Sequence, residues 1–282
     1  MADARKIVLI TGTSSGAGEA LAKEFLSKGF RVLATARNTD SIIHLADLGI
    51  ETFSLEVHKP ASIKSLKLQV DALTNGRLDY LVNNAGRNLT VPALHVDYDE
   101  VQYTFETNVF GVMRMCSEFA PLLIAAKGTI VQIGSLAGVM PYVFGSVYNS
   151  SKAALHAYSN TLRVELAPFG VHVLTIVTGG IQSNIARTER SLPLDSIYLP
   201  IDSDYQRRLK HSQEGASMPA KDYAKSVVNA ATRKRVPRFL WEGNKSWLVW
   251  LLSTFFPTWF MDWYFTRTFG LWKLHGIHTK TN

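Results

Sequence analysis

The sequence is poor in cysteine, since Cys116 is the only one among 282 residues. A single thiol excludes a disulfide within the chain, and no Cys/His cluster has zinc-ligand spacing, so we expect no metal and a fold held by packing alone. The N-terminus also lacks the basic head and apolar stretch of a secretory signal peptide, because a charged segment leads directly into an apolar run. We therefore expect the main body of the chain to face the cytosol.

No RNA- or DNA-binding motif accompanies the net charge of +7, so nucleic acid is not predicted as a partner. The charge suits an anionic membrane or a phosphorylated substrate equally well. A dense basic cluster precedes a very apolar tail and consists of Arg233, Lys234, Arg235 and Arg238. It is either a solvated surface or a membrane-facing collar, and its position beside the tail favours the collar.

Short apolar runs rich in β-branched residues alternate with segments of helical periodicity, which is typical of a parallel sheet covered on both faces. The pattern predicts strands at 7–10, 31–35, 51–55, 80–83, 129–133 and 171–177, with a seventh near 238–241. We expect one α/β domain built on this sheet over residues 1–243, followed by an apolar tail over residues 244–282.

Between the first two strands, the segment TGTSSGAG at positions 11–18 leads into a helix predicted over 19–30, with Gly29 as its stop. Small residues let the chain turn sharply and approach a ligand closely, and the helix N-terminus offers N–H groups to a pyrophosphate. A tight structural turn would also use glycines. The position between a strand and a helix favours dinucleotide binding.

Tyr148 and Lys152 are four residues apart in a helix predicted over 148–166, so their side chains lie on one face, about 5.4 Å apart along the axis. A free tyrosine has a pKa of about 10, too high for acid–base work at neutral pH. We expect the neighbouring ammonium, and the positive charge of an oxidised dinucleotide bound at the glycine loop, to lower the pKa of Tyr148. Taken alone, a tyrosine and a lysine at this spacing usually have no catalytic role: the ring packs against the protein and the amine is solvated.

The ordered motifs together resemble the classical short-chain dehydrogenase/reductase family. They are the T-G-x-x-x-G-x-G loop, Asn83-Asn84-Ala85-Gly86, Asn108 with Gly111, Ser135, and Tyr148-x-x-x-Lys152. The resemblance implies a Rossmann-like, doubly wound domain with a parallel sheet of about seven strands, in agreement with the strand pattern. It also implies an oxidoreductase in which Tyr148 donates a proton to a carbonyl oxygen. It further implies that Lys152 holds the nicotinamide ribose, Ser135 hydrogen-bonds the substrate oxygen and Asn108 supports a proton-relay water.

The cofactor implied by the resemblance is NADPH/NADP+, because Ala36 stands where NAD-dependent members carry Asp and Arg37 follows it. A guanidinium can bind a 2′-phosphate through two parallel hydrogen bonds, although an exposed loop arginine is the alternative. The implied cofactor-binding residues are Gly12, Thr13, Ser14, Ser15, Gly16, Gly18, Arg37, Asn38, Glu56, Val57, Asn84, Ala85, Gly86, Tyr148, Lys152, Gly179, Ile181 and Ser183. The sequence departs from the family pattern at three positions. Glu56 stands in place of aspartate, Thr178 in place of proline and Ser183 in place of threonine.

Residues 184–218 stand where the family places its substrate lid. The segment is rich in cations that are either solvated or bind a substrate phosphate, namely Arg187, Arg190, Arg207, Arg208 and Lys210. Further on, residues 246–266 hold four tryptophans among leucines and phenylalanines, with Asp262 as their only charge. Because Pro257 argues against a straight crossing, we expect a monotopic membrane anchor. The alternative is a tail packed on its own domain or on a second copy.

Within the family, the segments ATARN and YNSSKAAL and the aromatic tail resemble fungal NADPH-dependent 1-acyldihydroxyacetone-phosphate reductases. This resemblance implies reduction of a lipophilic ketone, with 1-acyldihydroxyacetone phosphate giving lysophosphatidate, on the cytosolic face of the endoplasmic reticulum membrane or a lipid droplet. A steroid, retinoid or secondary-metabolite carbonyl, in either direction, is the alternative, and a non-catalytic nucleotide-binding protein is the third hypothesis. The family also favours a homodimer or homotetramer through the helices bearing Asn108 and Tyr148.

Overall fold

Seven parallel strands form one sheet in the order β3-β2-β1-β4-β5-β6-β7. The strands are β1 Ile7–Ile10, β2 Arg31–Ala36, β3 Glu51–Ser54, β4 Tyr80–Asn83, β5 Thr129–Ile133, β6 His172–Thr178 and β7 Phe239–Glu242. A computed structural model describes residues 5–182, 189–211 and 218–275. The predicted doubly wound fold is confirmed, and no predicted strand boundary differs from the observed one by more than one residue.

Ten α-helices connect or follow these strands in the described ranges. They are α1 Gly16–Ser27, α2 Ile43–Ala46, α3 Pro60–Thr74, α4 Tyr98–Phe105, α5 Gly111–Ala126, α6 Ser146–Leu166, α7 Asp202–Lys210, α8 Ala220–Ala231, α9 Ser246–Phe255 and α10 Thr258–Thr268. A π-helical turn, Glu106–Phe110, joins α4 to α5. The helix α1 begins three residues earlier than predicted and ends at Ser27, just before Gly29, which has a φ of +80°.

Helices cover both faces of the sheet, which explains why every residue of the central strands β1, β4 and β5 is buried. Val8 and Ile10 of β1 face a buried cluster with α1 and α8. Ile7 and Leu9 of the same strand face a second cluster with α3, α5 and α6. Alternate side chains of one strand therefore belong to different layers, and both layers are buried.

The segment Tyr98–Ala126 is long and apolar enough to cross a membrane by length and composition. Its apolar side chains already have partners, because Val112, Met115 and Phe119 are buried in the layer beside β4 and β1. We therefore interpret it as a core helix of the domain.

The tail forms two short helices, α9 and α10, separated at Pro257. One side of these helices is buried with Leu136 and Val177 of the domain, and the buried tail residues are Val249, Met261, Phe265 and Phe269. The other side exposes large aromatic rings, namely Trp247, Trp250, Phe255, Phe256, Trp259 and Trp263. The tail thus packs on its own domain and presents an aromatic surface as well.

The exposed basic cluster at 233–238 precedes β7, whereas the tail helices follow that strand. Four extended residues span about 13 Å, so the cluster lies towards the opposite end of β7 from the tail. This separation weighs against the predicted collar.

Candidate active site

The glycine loop turns between β1 and α1 with Gly12 and Gly16 at φ of +70° and +62°. A side chain at Gly12 would place its Cβ 2.8 Å from the Cα of Ala85, and one at Gly18 would place it 2.2 Å from the carbonyl oxygen of Gly12. Among the described residues, the N-cap Ser15 makes no side-chain capping hydrogen bond. The first N–H groups of α1 are therefore available to an anion, as dinucleotide binding requires.

Hydrogen bonds fasten this loop to the segment after β4. The Thr11 Oγ1 accepts from the backbone N–H groups of Asn84 and Ala85 at 3.0 and 2.9 Å. The Asn84 Nδ2 donates to the carbonyl oxygens of Thr11 and Gly12 at 2.9 and 2.8 Å. Thr13 donates from its N–H and its hydroxyl to the Thr35 carbonyl of β2 at 2.9 and 3.1 Å. Three neighbouring strand ends are thus locked together around the loop.

At the end of β2, Arg37 and Asn38 are exposed, so the Arg37 guanidinium is accessible to a phosphate. The Asn38 Oδ1 accepts from the N–H of Asp40 at 2.9 Å and shapes the turn. Glu56 forms an ion pair with Lys59 at 2.9 Å. The Val57 carbonyl lies 2.5 Å from the position of a Cβ at Gly111, so only glycine allows this approach.

Asn108 lies in the π-helical turn rather than in a regular helix. Its Oδ1 accepts from the N–H of Arg87 at 2.9 Å, and its Nδ2 donates to the Arg87 carbonyl at 2.9 Å and to the Ser151 Oγ at 3.0 Å. The Ser151 hydroxyl donates in turn to the Tyr148 carbonyl at 2.7 Å. The Asn108 amide therefore links the segment after β4 to the first turns of α6, and π-turns often occur at functional sites.

Lys152 is buried, and its Nζ donates to the Ile133 carbonyl at 2.8 Å. The Nζ lies 5.9 Å from the centroid of the Tyr148 ring. A Cβ at Gly86 would lie 3.8 Å from this Nζ and 3.3 Å from the Asn108 Oδ1. Burial lowers the pKa of Lys152 to about 8. The structure thus brings all four predicted catalytic side chains to the same edge of the sheet.

Burial of the phenol raises the pKa of Tyr148, while a hydrogen bond with Ser135 and the positive charge of Arg208 act in the opposite direction. In the protein alone, the Lys152 ammonium, 5.9 Å from the centroid of the Tyr148 ring, does not offset the effect of burial on the phenolate. Lowering of the pKa of Tyr148 by a bound oxidised nicotinamide stays a prediction. A raised pKa keeps the phenol protonated at neutral pH. A protonated phenol is the form that can act as an acid.

Sequence reasoning missed His156, which holds Ser135 in place. The imidazole is buried and its Nε2 accepts from the Ser135 N–H at 3.3 Å. A Cβ at Gly134 would lie 2.2 Å from that Nε2, and one at Gly138 would lie 2.8 Å from the ring carbon Cε1. Burial and the charge of Lys152 lower the pKa of His156 to about 4. The spacing of four residues from Tyr148 to Lys152 to His156 is the signal that could have revealed it.

After β6, Gly179 donates from its N–H to the Glu242 carbonyl at 2.7 Å, and Ile181 forms a bridge with Met218. Thr178, which stands in place of proline, pairs its hydroxyl with that of Tyr223 at 2.8 Å. Gly179 and Ile181 therefore lie at the same edge of the sheet as the glycine loop. Ser183 and Arg187 lie outside the described residues.

This edge is where the strand order reverses between β1 and β4, the position at which open α/β sheets bind nucleotides. The model of the short chain dehydrogenase family matches residues 6–192. The chain belongs to this family. It is therefore an oxidoreductase that acts on carbonyl or hydroxyl groups.

Relatives and solved structures extend the similarity over nearly the whole chain. Short-chain dehydrogenase RED1 of Pyricularia oryzae is 42% identical over 277 residues, covering 96% of this chain and 97% of its own. The NADPH-dependent 1-acyldihydroxyacetone phosphate reductase of Saccharomyces cerevisiae is 37% identical, covering 96% and 94%, and that of Schizosaccharomyces pombe is 47% identical, covering 70% and 69%. The crystal structure of a short-chain dehydrogenase from Streptomyces avermitilis superposes with a TM-score of 0.79 at 27% identity, covering 97% and 98%.

Proposed function

We propose that this enzyme reduces a lipophilic ketone to a secondary alcohol with NADPH, and that 1-acyldihydroxyacetone phosphate, giving lysophosphatidate, is its substrate. The observation that carries the proposal is the meeting of Tyr148, Lys152, Ser135 and Asn108 at the switch point of the sheet. The similarity to the S. cerevisiae reductase supports the substrate, because it extends over 96% of this chain and so includes the aromatic tail.

The described residues fit NADPH. The uncapped start of α1 and the cradle around Gly12 and Gly18 suit a pyrophosphate, and the exposed Arg37 suits a 2′-phosphate. Lys152 is assigned to the nicotinamide ribose, as the family resemblance implies. When bound, NADPH supplies the hydride that the carbonyl carbon accepts.

The protein's own contribution is to polarise and protonate the carbonyl oxygen. The phenol of Tyr148 donates its proton to that oxygen, and the hydroxyl of Ser135 donates a hydrogen bond to the same atom. The raised pKa of Tyr148 keeps the proton in place until charge develops on the oxygen. Lys152 and Asn108 are assigned to the return of a proton to the phenolate, the role that the family resemblance implies for them.

Tyr148→Phe tests this mechanism. Loss of a general acid lowers turnover by roughly 100-fold or more, while NADPH affinity measured by fluorescence titration should stay within about twofold, since the ring itself is retained. Tyr98→Phe, at an exposed tyrosine, is the matched control. The assay follows absorbance of the reduced cofactor with 1-acyldihydroxyacetone phosphate. If Tyr148→Phe keeps most of its activity, the proposed acid is wrong.

A panel of other substrates tests the alternatives, since the name of RED1 specifies no substrate. Steroid, retinoid and other lipophilic ketones are assayed with NADPH, and the matching alcohols with NADP+. Turnover of one of these in preference to 1-acyldihydroxyacetone phosphate would replace the proposed substrate. Absence of turnover throughout would favour the nucleotide-binding hypothesis.

We further propose that the aromatic face of α9 and α10 binds the cytosolic surface of the endoplasmic reticulum membrane or of a lipid droplet, with the tail beginning after residue 243. Exposed tryptophans suit the headgroup region, and α9, at 10 residues, is too short to span a bilayer. The variant Trp259→Gln/Trp263→Gln should lose flotation with vesicles of phosphatidylcholine and phosphatidylserine. Leu68→Gln, on the exposed side of α3, is the control. Equal flotation of both variants would refute the anchor.

Because members of the family commonly form dimers or tetramers, we also propose a homodimer or homotetramer. Its interface consists of α5, which follows the turn bearing Asn108, and α6, which contains Tyr148. Light scattering on the purified protein gives the mass directly. A monomer across micromolar concentrations would contradict this proposal.

A further inference from the structure

We propose that Arg208 binds an anionic group of the substrate, a phosphate monoester, next to Tyr148. This inference rests on the proposed reductase function and adds the side chain that would select a phosphorylated ketone over a neutral one. It is drawn from a buried cation on the lid helix α7 that the catalytic mechanism does not use.

The Arg208 side chain is 3% exposed. Its Nε donates to the Val143 carbonyl at 2.8 Å, and its guanidinium carbon lies 3.5 Å from the centroid of the Tyr142 ring. Within the described ranges, its two terminal nitrogens make no hydrogen bond and the guanidinium makes no ion pair. A buried charge without a counter-ion is costly, so buried arginines are normally paired.

Other cations of the lid already have partners or are solvated. Arg190 forms hydrogen bonds with Glu100 at 2.8 and 2.5 Å, and Arg207 pairs with Asp204 at 2.8 Å. Lys210, at the end of α7, is exposed. Arg208 thus differs from its neighbours in being both buried and without an acidic partner among the described residues.

The free edge of the guanidinium lies at the catalytic helix. The Arg208 Nη2 is 3.5 Å from the Cβ position of Gly145, the residue that precedes α6, and Tyr148 lies in the first turn of α6. The groups that its charge influences are the phenols of Tyr142, Tyr205 and Tyr148. An oxyanion bound to this edge would therefore lie next to the phenol that protonates the substrate.

The chemistry of the proposed substrate matches this placement. The Nε of Arg208 is occupied by the Val143 carbonyl, and one face of the guanidinium is covered by the Tyr142 ring. The two terminal nitrogens remain as a planar pair of donors, and such a pair binds a phosphate through parallel hydrogen bonds. In a phosphorylated dihydroxyacetone, a single methylene separates the ketone carbon from the phosphate ester oxygen. A phosphate held by Arg208 would bring the carbonyl towards Tyr148.

The test compares 1-acyldihydroxyacetone phosphate with its dephosphorylated analogue in the wild-type enzyme, Arg208→Gln and Arg208→Lys. Removing a charge-assisted pair of hydrogen bonds should lower kcat/KM for the phosphate by about 10- to 100-fold, and that for the neutral ketone by less than about threefold. Arg208→Lys should fall between. Lys210→Gln, which removes one charge from the same helix, should change neither value.

An equal loss for both substrates in Arg208→Gln would show that Arg208 only holds the lid, and would overturn the proposal. So would a wild-type enzyme without preference for the phosphate. Calorimetric titration of the NADP+ complex, which has no hydride to transfer, with dihydroxyacetone phosphate and with dihydroxyacetone measures the same preference without turnover. If no ketone is reduced but Arg208 still confers preference for the phosphate, the proposed function fails while the anion site stands. Thermal melts confirm that each variant is folded.

Discussion

The buried imidazole of His156 makes the stability of the enzyme depend on pH. Its pKa is lowered from 6.5 to about 4 in the folded protein, because burial and the charge of Lys152 disfavour the protonated form. Between these two values the unfolded chain binds a proton that the folded chain excludes. Stability is therefore complete above pH 6.5 and is lost as the pH falls towards 4.

The size of the effect follows from the shift. For one group with these two pKa values, the free energy of unfolding falls by about 2 kcal/mol between pH 7.5 and 5.0, and by about 3 kcal/mol at pH 4. Lys152 does not add to this change, because its pKa of about 8 confines its contribution to a higher pH window.

Urea unfolding at pH 7.5, 6.0 and 5.0, followed by circular dichroism, measures this slope. His156→Gln keeps an acceptor for the Ser135 N–H but cannot titrate, so its stability should lose about 2 kcal/mol less than that of the wild type over the same range. His172→Gln, which removes an exposed imidazole at the start of β6, controls for the loss of an ionisable side chain. Identical slopes for the wild type and His156→Gln would refute the reasoning.

Three further predictions follow from single contacts. Gly18→Ala should weaken NADPH binding by about tenfold or more in a fluorescence titration, because the added Cβ meets the Gly12 carbonyl at 2.2 Å; unchanged affinity would mean that the loop moves freely. Arg37→Gln should raise the Kd for NADPH by about 10- to 100-fold and leave that for NADH unchanged, and a parallel rise in both would contradict 2′-phosphate binding. The Cys116 thiol, whose pKa burial raises to about 11, should resist iodoacetamide at pH 8 until urea unfolds the protein; rapid labelling of the native enzyme would show that the core between α5 and β5 opens.

The strands were predictable because both faces of the sheet are covered, so most of its strands are short runs rich in apolar and β-branched residues. The start of α1 was not, since Gly16 and Gly18 are poor helix formers. Glycine is nevertheless required at position 18, because its close approach to the Gly12 carbonyl leaves no room for a side chain. Tertiary packing therefore keeps Gly18 in the helix, although glycine has a low helix propensity.

The candidate catalytic residues were predictable from the resemblance of the ordered motifs to the family, whereas their environment was not. The segment 98–126 has the periodicity of one helix, and the π-helical turn that aims Asn108 at Arg87 and Ser151 depends on contacts with distant residues. The role of His156 likewise depends on Gly134 and Gly138 approaching its ring from another strand end. Long-range contacts of this kind leave no local pattern in the sequence.

The tail shows the same limit at a larger scale. Its composition indicated an anchor and left packing on the domain as an alternative, but the structure joins the tail to the lid. Asp204 of α7 is buried and accepts from the Lys273 Nζ at 2.7 Å, and a Cβ at Gly270 would meet its Oδ2 at 2.4 Å. Removing the whole tail would therefore deprive the buried Asp204 carboxylate of this cation, one turn before Arg208 on α7, and would disturb the proposed anion site together with the proposed membrane surface. For this reason, substitutions on the exposed face of α10 can test membrane binding separately from catalysis, whereas truncation cannot.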